Sequence, residues 1–239
     1  MKYIDYTFEK PAQNLAFEEM LLDLCETGRE DEMLRFWEPS QYFVVLGWSN
    51  RAHQEVNVEA CEAHNIPILR RCSGGGTVLQ GPGCLNYALI LRPPQGADLR
   101  DIEATNAHIL ERHRQVVEPL LGQSVQRQGT SDLTLGSLKF SGNAQRRLKN
   151  AVLFHGTFLL DMDLALMEKV LRMPARRPEY REGRAHDAFV TTVPLPRAGL
   201  KQALRRAWNA QETLSGWSLA DVDSRVQERY SQDAWNRKF

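Results

Sequence analysis

Three glycines in a row, Gly74, Gly75 and Gly76, follow Arg70, Arg71 and Ser73 in the stretch RRCSGGGTVLQGPGCLNYALIL (70–91), and Gly81 and Gly83 come soon after. Glycine is costly to order and offers no side chain to pack, so such a run needs a reason. One reason is a backbone that approaches a ligand closely and turns its N–H groups into a concave anion site. Arg beside that cradle suits phosphate or carboxylate, because its planar fork meets two oxygens at once. The bland reading is a glycine-rich hairpin that binds nothing. The pattern is neither GxxxxGK[ST] nor a G-x-G-x-x-G loop opening a helix, since a strand-like run follows it. A second stretch, SDLTLGSLKFSGNAQRR (131–147), holds Lys139 inside a strand-like run beside Ser141 and Gly142. That lysine is either a solvated strand-face charge or an inward ammonium that neutralises a carboxylate and a phosphate. Propensity does not choose between them.

These residues need elements to hold them. Apolar positions 15, 17, 20, 21, 22 and 24 predict an amphipathic helix over 14–26, with Asn14 as its cap. Strands are expected at 34–37 and 42–46, split by a Pro-Ser turn, and a helix at 56–65 leads to a strand at 66–71. The run 85–92 is apolar with little alternation, as in a strand buried on both faces. A long helix over 101–120 follows a Pro-Gly loop. A hairpin pairs 133–135 with 138–141 through Gly136-Ser137, followed by a strand at 152–160 and a helix at 164–172. Residues 174–186 are rich in Arg, Pro and Gly and predict a mobile loop that closes over substrate. From Leu200 onward the pattern is helical and charged. Interleaved strands and helices without a composition break predict one mixed α/β domain.

The totals exclude some classes. Lys plus Arg is 30 and Asp plus Glu is 30, so a general polyanion binder such as a nucleic-acid protein is not expected. No segment has the ~18 consecutive apolar residues of a membrane helix, and the N-terminus lacks the apolar core of a secretion signal. A cytoplasmic protein is expected. Cys25, Cys61, Cys72 and Cys84 form no C-x-x-C pair, so each is expected to be a small buried apolar residue.

Taken together and in order, RRCSGGGTV with GCLNYALIL, then SDL with LKFSGNAQRR, then FHGTFLLDMDLALMEKVLRMP resemble the lipoate–protein ligase family, within the biotin/lipoyl attachment group. The opening NLAFEEMLL, the VVLGWSN strand end and the closing RYSQDAWN share the resemblance, which runs over nearly the whole chain. It implies an α/β (α+β) fold: a mixed sheet flanked by helices, related to the catalytic domain of class II aminoacyl-tRNA synthetases. It implies a reaction in which lipoate (or octanoate) and ATP give the acyl-adenylate, whose acyl group passes to a lysine of a lipoyl carrier domain. Such carriers belong to 2-oxoacid dehydrogenase E2 or glycine-cleavage H-type proteins. Lys139 matches the family's catalytic lysine. Ser73, Gly74, Gly75 and Gly76 would bring backbone N–H groups to the adenylate, with Thr77, Val78 and Leu79 lining nucleotide and acyl chain. Arg71 would pair with phosphate; Arg70 would do the same or face outward. Asn86, Ser141, Gly142 and His155 are placed near the site, and Asp132 is the candidate ligand for Mg²⁺.

The sequence also departs from the pattern. Gln80 stands where the family usually carries His. The GPG at 81–83 looks more like the octanoyltransferases of the same group, which use a cysteine nucleophile and no ATP. Neither cysteine position known from those branches is occupied here, which favours the ligase. A non-catalytic acyl- or nucleotide-binding module is the third reading. Residues 1–239 read as one catalytic domain without the small accessory domain of many ligases, so a separate accessory chain is a conceivable partner; a monomer is the default. If the glycine cradle holds the nucleotide, Gly75→Val closes the backbone approach, and titration calorimetry should find nucleotide affinity lost. Normal affinity in that variant would rule the cradle out.

Overall fold

The computed structural model describes residues 1–93, 101–174 and 177–239. The Pro-Gly loop expected before the long helix, and Ala175 and Arg176 of the Arg-rich loop, lie outside the described residues. Among the described residues the strands are β1 (Lys2–Asp5), β2 (Met33–Trp37), β3 (Phe43–Leu46), β4 (Ile68–Arg70), β5 (Val78–Gln80), β6 (Cys84–Leu91), β7 (Gln126–Gln128), β8 (Asp132–Leu135), β9 (Leu138–Arg147), β10 (Val152–Leu159) and β11 (Glu212–Thr213). An eight-stranded sheet runs β11-β1-β2-β6-β10-β9-β8-β7, and a three-stranded sheet runs β4-β3-β5. β1 pairs parallel with β11 and β2, whereas β2, β6, β10, β9, β8 and β7 pair antiparallel in succession.

β6 explains why the large sheet can be covered on both sides. All eight of its residues are buried. Leu85, Tyr87, Leu89 and Leu91 face one core, with residues of the helices Ile102–Leu121 and Arg197–Ala207. Ala88 and Ile90 face a second core with the helix Pro11–Glu26 and the C-terminal Val222 and Tyr230. An apolar run without alternation is the pattern such a strand requires. A third core joins the small sheet to Val56, Cys61, Met167, Val170 and Phe189. The mixed sheet flanked by helices is the fold class the resemblance implies.

Two local expectations are corrected. The first helix begins at Pro11, not at a cap on Asn14. Pro fits the first helical turn because its missing N–H has no helical partner there. Asn14 is buried within the helix, where its side chain bonds Phe8 N and O and accepts from Arg35. The C-terminal region is not one helical stretch either. The helix from Arg197 ends at Ala207, and β11 follows, laid parallel on β1 before the helix Leu219–Arg225. Among the described residues no helix is long and apolar enough to cross a membrane.

The His113 ring is buried and accepts a hydrogen bond from Trp208 Nε1 at 3.0 Å. Burial lowers its pKa from 6.5 to about 3. The unfolded chain therefore takes up this proton near pH 6.5 and the folded protein only near pH 3, so stability falls as pH is lowered through that window. In His113→Gln, urea unfolding at stepped pH should give a shallower loss of stability between pH 6.5 and 4. An unchanged slope would assign the loss to other groups.

Candidate active site

The strand register lays a row of residues across the large sheet. Trp37 pairs with Asn86, Asn86 with Thr157, Thr157 with Gly142, and Gly142 with Asp132. This row floors a cavity of about 450 Å³ that is roofed by Gly75, Gly76, Thr77, Val78 and Leu79. One step along β10, His155 pairs with Ala88 and Ala144.

Lys139 reaches this floor through a bulge. Leu133 pairs with Ser141, but Thr134 pairs with Lys139, so Phe140 is the extra residue of β9. In a regular strand Lys139 and Phe140 would point to faces opposite to those they occupy here. The bulge puts Phe140 into the core beside Leu133 and Phe158 and turns Lys139 onto the cavity face with Gly142. Lys139 Nζ lies 2.8 Å from Asp132 Oδ1 and its side chain keeps 27% of its surface. A Cβ on Gly142 would stand 2.7 Å from both Lys139 Cε and Nζ. Gly142 is thus the space in which the ammonium sits. Tyr180 donates its hydroxyl to Asp132 Oδ2 at 2.7 Å. Burial and the Asp132 charge raise the Tyr180 phenol far above its ordinary 10, so it stays a donor.

The glycine roof is held from behind. The Arg71 guanidinium donates to the carbonyls of Val45, Gly74 and Gly76 and to Ser73 Oγ. Burial lowers its pKa to about 10, so it remains a cation at neutral pH. A guanidinium only donates. Ser73 Oγ therefore accepts from Arg71 and shares a hydrogen bond with His155 Nε2, 2.6 Å away. His155 Nδ1 lies 2.5 Å from Glu18 Oε2. Trp37 Nε1 donates to Glu18 Oε1 at 2.8 Å, and Arg35 lies 3.9 Å from the same oxygen. Burial works against the Glu18 carboxylate, but His155, Arg35 and Trp37 together hold its pKa below the ordinary 4.5. The positive φ of Gly75, +86°, lets the loop arch over Ala144, where a Cβ would come within 3.2 Å.

The structure sorts the expected residues. Lys139, Asp132, Gly142, Asn86, His155, Arg71, Gly75, Gly76, Thr77, Val78 and Leu79 all line the cavity. Arg70, Ser73, Gly74 and Ser141 do not. Arg70 points away, donating to the carbonyls of Gly47, Asn50, Trp235 and Asn236, where it ties the C-terminal residues to the loop after β3. Ser141 pairs with Leu133 and Phe158 on the core face. Residues not singled out beforehand include Glu18, Trp37, Thr157 and Tyr180. Glu18 carried one signal, a carboxylate inside the apolar run LAFEEMLL; Tyr180 carried none. As for a metal, both Asp132 oxygens already accept from Lys139 and Tyr180. Among the described residues no group of three His, Cys, Asp or Glu is arranged to hold an ion. The residues present do not fit a protein-built Mg²⁺ site.

The four cysteines decide what the cavity does not contain. All are buried free thiols, and none of them lines it. Burial pushes Cys72 and Cys84 up to about 12, and Cys25 and Cys61 to about 11. No thiolate faces this site at neutral pH.

This mixed sheet flanked by helices, with its glycine roof and bulged hairpin, has the fold of solved lipoate–protein ligases. The chain belongs to the lipoyl protein ligase A/B catalytic domain family, whose model matches residues 10–210. It is 27% identical to lipoate–protein ligase 1 of Staphylococcus aureus, over 99% of this chain and 73% of that protein. It is 24% identical to the octanoyltransferase LipM of Brevibacillus brevis, over 98% of each. The chain spans about half the length of its Mycoplasma relatives, 46% and 56%. Among solved structures it is similar to one from a structural analysis of an archaeal lipoylation system, a bi-partite lipoate protein ligase and its E2 lipoyl domain from Thermoplasma acidophilum, at TM-score 0.79 and 20% identity over 99% of this chain and 95% of that one. It is similar also to a lipoate–protein ligase A bound with ATP, at TM-score 0.77 and 22% identity over 99% and 98%.

The steric argument at Gly142 is open to test. In Gly142→Ala the new methyl group forces the ammonium off its seat, while β9 keeps its pairing. Any activity that depends on Lys139 should fall on the order of tenfold or more, with a melting temperature near wild type. Full activity would show that the lysine works from another position.

Proposed function

We propose that this chain activates lipoate or octanoate with ATP and transfers the acyl group from the adenylate to a lysine of a lipoyl carrier domain. The observation that carries the reading is the Lys139 ammonium, seated over Gly142 in a glycine-roofed cavity that no thiol enters. Attack of the fatty-acid carboxylate on the α-phosphorus brings two anions together and expels pyrophosphate. A fixed ammonium between carboxylate and phosphate offsets that repulsion as charge develops. In the second step the carrier amine attacks the acyl carbonyl, AMP leaves, and the same ammonium faces the departing phosphate. Gly75 and Gly76 leave room for the phosphoanhydride against the backbone, and the floor of Trp37, Asn86 and Thr157 takes up the rest of the ligand. Mg²⁺ is expected to arrive with the triphosphate, whose oxygens supply most of its ligands.

The E2 lipoyl domain that belongs to the archaeal ligase's lipoylation system, and the ATP bound to the other neighbour, support carrier and nucleotide as the substrates. The bi-partite archaeal enzyme makes a separate accessory chain part of the same proposal. Four free thiols suit a reducing compartment, and so a cytoplasmic location. The octanoyltransferase reading draws on the full-length match to LipM. Its acyl-enzyme step needs a thiolate, and every thiol here is buried and raised.

An apo lipoyl domain separates the readings. With free lipoate and ATP, mass spectrometry should show it acylated; acylation only from octanoyl carrier protein would establish the transferase. A module that merely binds would do neither. Lys139→Ala should abolish acylation and keep the wild-type melting temperature. A variant that melts early, yet whose folded fraction acylates normally, would overturn the role of Lys139.

A further inference from the structure

The Arg-rich segment after the helix Leu164–Val170 is folded down onto the β8–β9 hairpin. Thr191 N donates to Lys139 O at 2.8 Å, and Val190 forms a parallel bridge with Lys139. Arg184 reaches Ser137 at the hairpin turn, at 3.2 Å to Oγ. These contacts hold the hairpin by its backbone and its tip. Tyr180 hydrogen-bonds to the charged pair itself, through Asp132 Oδ2. Its ring is set by the segment's own packing: Phe189 lies 5.2 Å away between centroids, and Gly129 presents a bare Cα where a Cβ would come within 3.1 Å of Tyr180 Cε1. The packing of the segment therefore delivers the hydroxyl to Asp132.

A carboxylate alone is a poor anchor for a lysine. The Asp side chain has a broad torsion about its last bond, and a lysine side chain loses rotamer entropy when held. With Oδ2 tied, the direction of Oδ1 is set, and with it the place of the ammonium. We propose that Tyr180 is a positioning residue for the acyl-activating reaction: closure of the segment at 177–191 ties Asp132 Oδ2, which holds the Lys139 ammonium over Gly142 and so makes the working geometry conditional on a closed lid. The inference rests on Lys139 being the working group of the proposed ligase. Closure thus both covers the cavity and arms it.

Tyr180→Phe removes one oxygen and leaves the ring packed. In adenylate formation followed by pyrophosphate release, kcat should fall about tenfold, as expected for one hydrogen bond to a charged group. KM for lipoate and for ATP should stay within about twofold. A rise in KM with kcat unchanged would mean that the segment is only a cover, and an unchanged kcat would also overturn the proposal. In an Asp132→Asn background the Tyr180→Phe effect should shrink below about twofold; full additivity would place the action of Tyr180 elsewhere. A readout independent of activity completes the test. Limiting acetic anhydride followed by peptide mass spectrometry should label Lys139 several-fold faster in Tyr180→Phe, with the exposed Lys149 and Lys169 unchanged. Equal labelling of Lys139 sinks the coupling. If the wild-type protein makes no adenylate from lipoate and ATP, the ligase reading fails, and the labelling alone still decides whether the lid holds the lysine.

Discussion

One extra residue in a strand governs this molecule's chemistry. Without the bulge at Phe140, the pairing of β8 with β9 would send Lys139 into the core and Phe140 into the cavity. Burying an unpaired ammonium costs several kcal/mol, so an unbulged register would be unstable and would leave the cavity without its ammonium. The bulge resolves both problems at once: Phe140 joins Leu133 and Phe158, and the ammonium meets Asp132 over a glycine. Bulges re-aim side chains in this way next to functional sites.

The roof of the cavity is built on a different principle. Its glycines supply closeness but not rigidity. Rigidity comes from buried polar groups that are paired in a chain: Arg71 to the loop carbonyls and Ser73, Ser73 to His155, His155 to Glu18, and Glu18 to Trp37. Buried polar groups raise stability only when satisfied, and the same pairing makes them specify one arrangement. The chain ends on the first helix and on β2, so the loop's shape is referred to the centre of the protein. Arg70, the last residue of β4, and Arg71, just beyond it, divide the labour. One braces the glycine loop, and the other pins the C-terminal residues.

Family membership leaves the chemistry to be argued from the site. Relatives of this chain include a ligase and an octanoyltransferase. An acyl-enzyme route needs a thiolate that reaches the acyl group. Here the thiols are spent as apolar filling; Cys84, for example, packs on Met162 at 3.6 Å.

Sequence alone determined the fold class, the doubly buried β6, the glycine-rich loop and the pairing of two motifs far apart in the chain. These are local or periodic properties: glycine runs, apolar periodicity and short motifs survive without coordinates. It misjudged the start of the first helix, because Asn14 is a good cap in isolation and only its contacts with Phe8 and Arg35 make it an interior residue. It left the facing of Lys139 open, since strand alternation is defined only relative to a partner and a bulge inverts it. It placed Ser141 at the site for the same reason. Tyr180 and Glu18 reach the site from 48 residues after Asp132 and 137 residues before His155. Such meetings depend on which helix packs on which face, and that is decided by the summed burial of whole elements rather than by any residue's own neighbours in the chain.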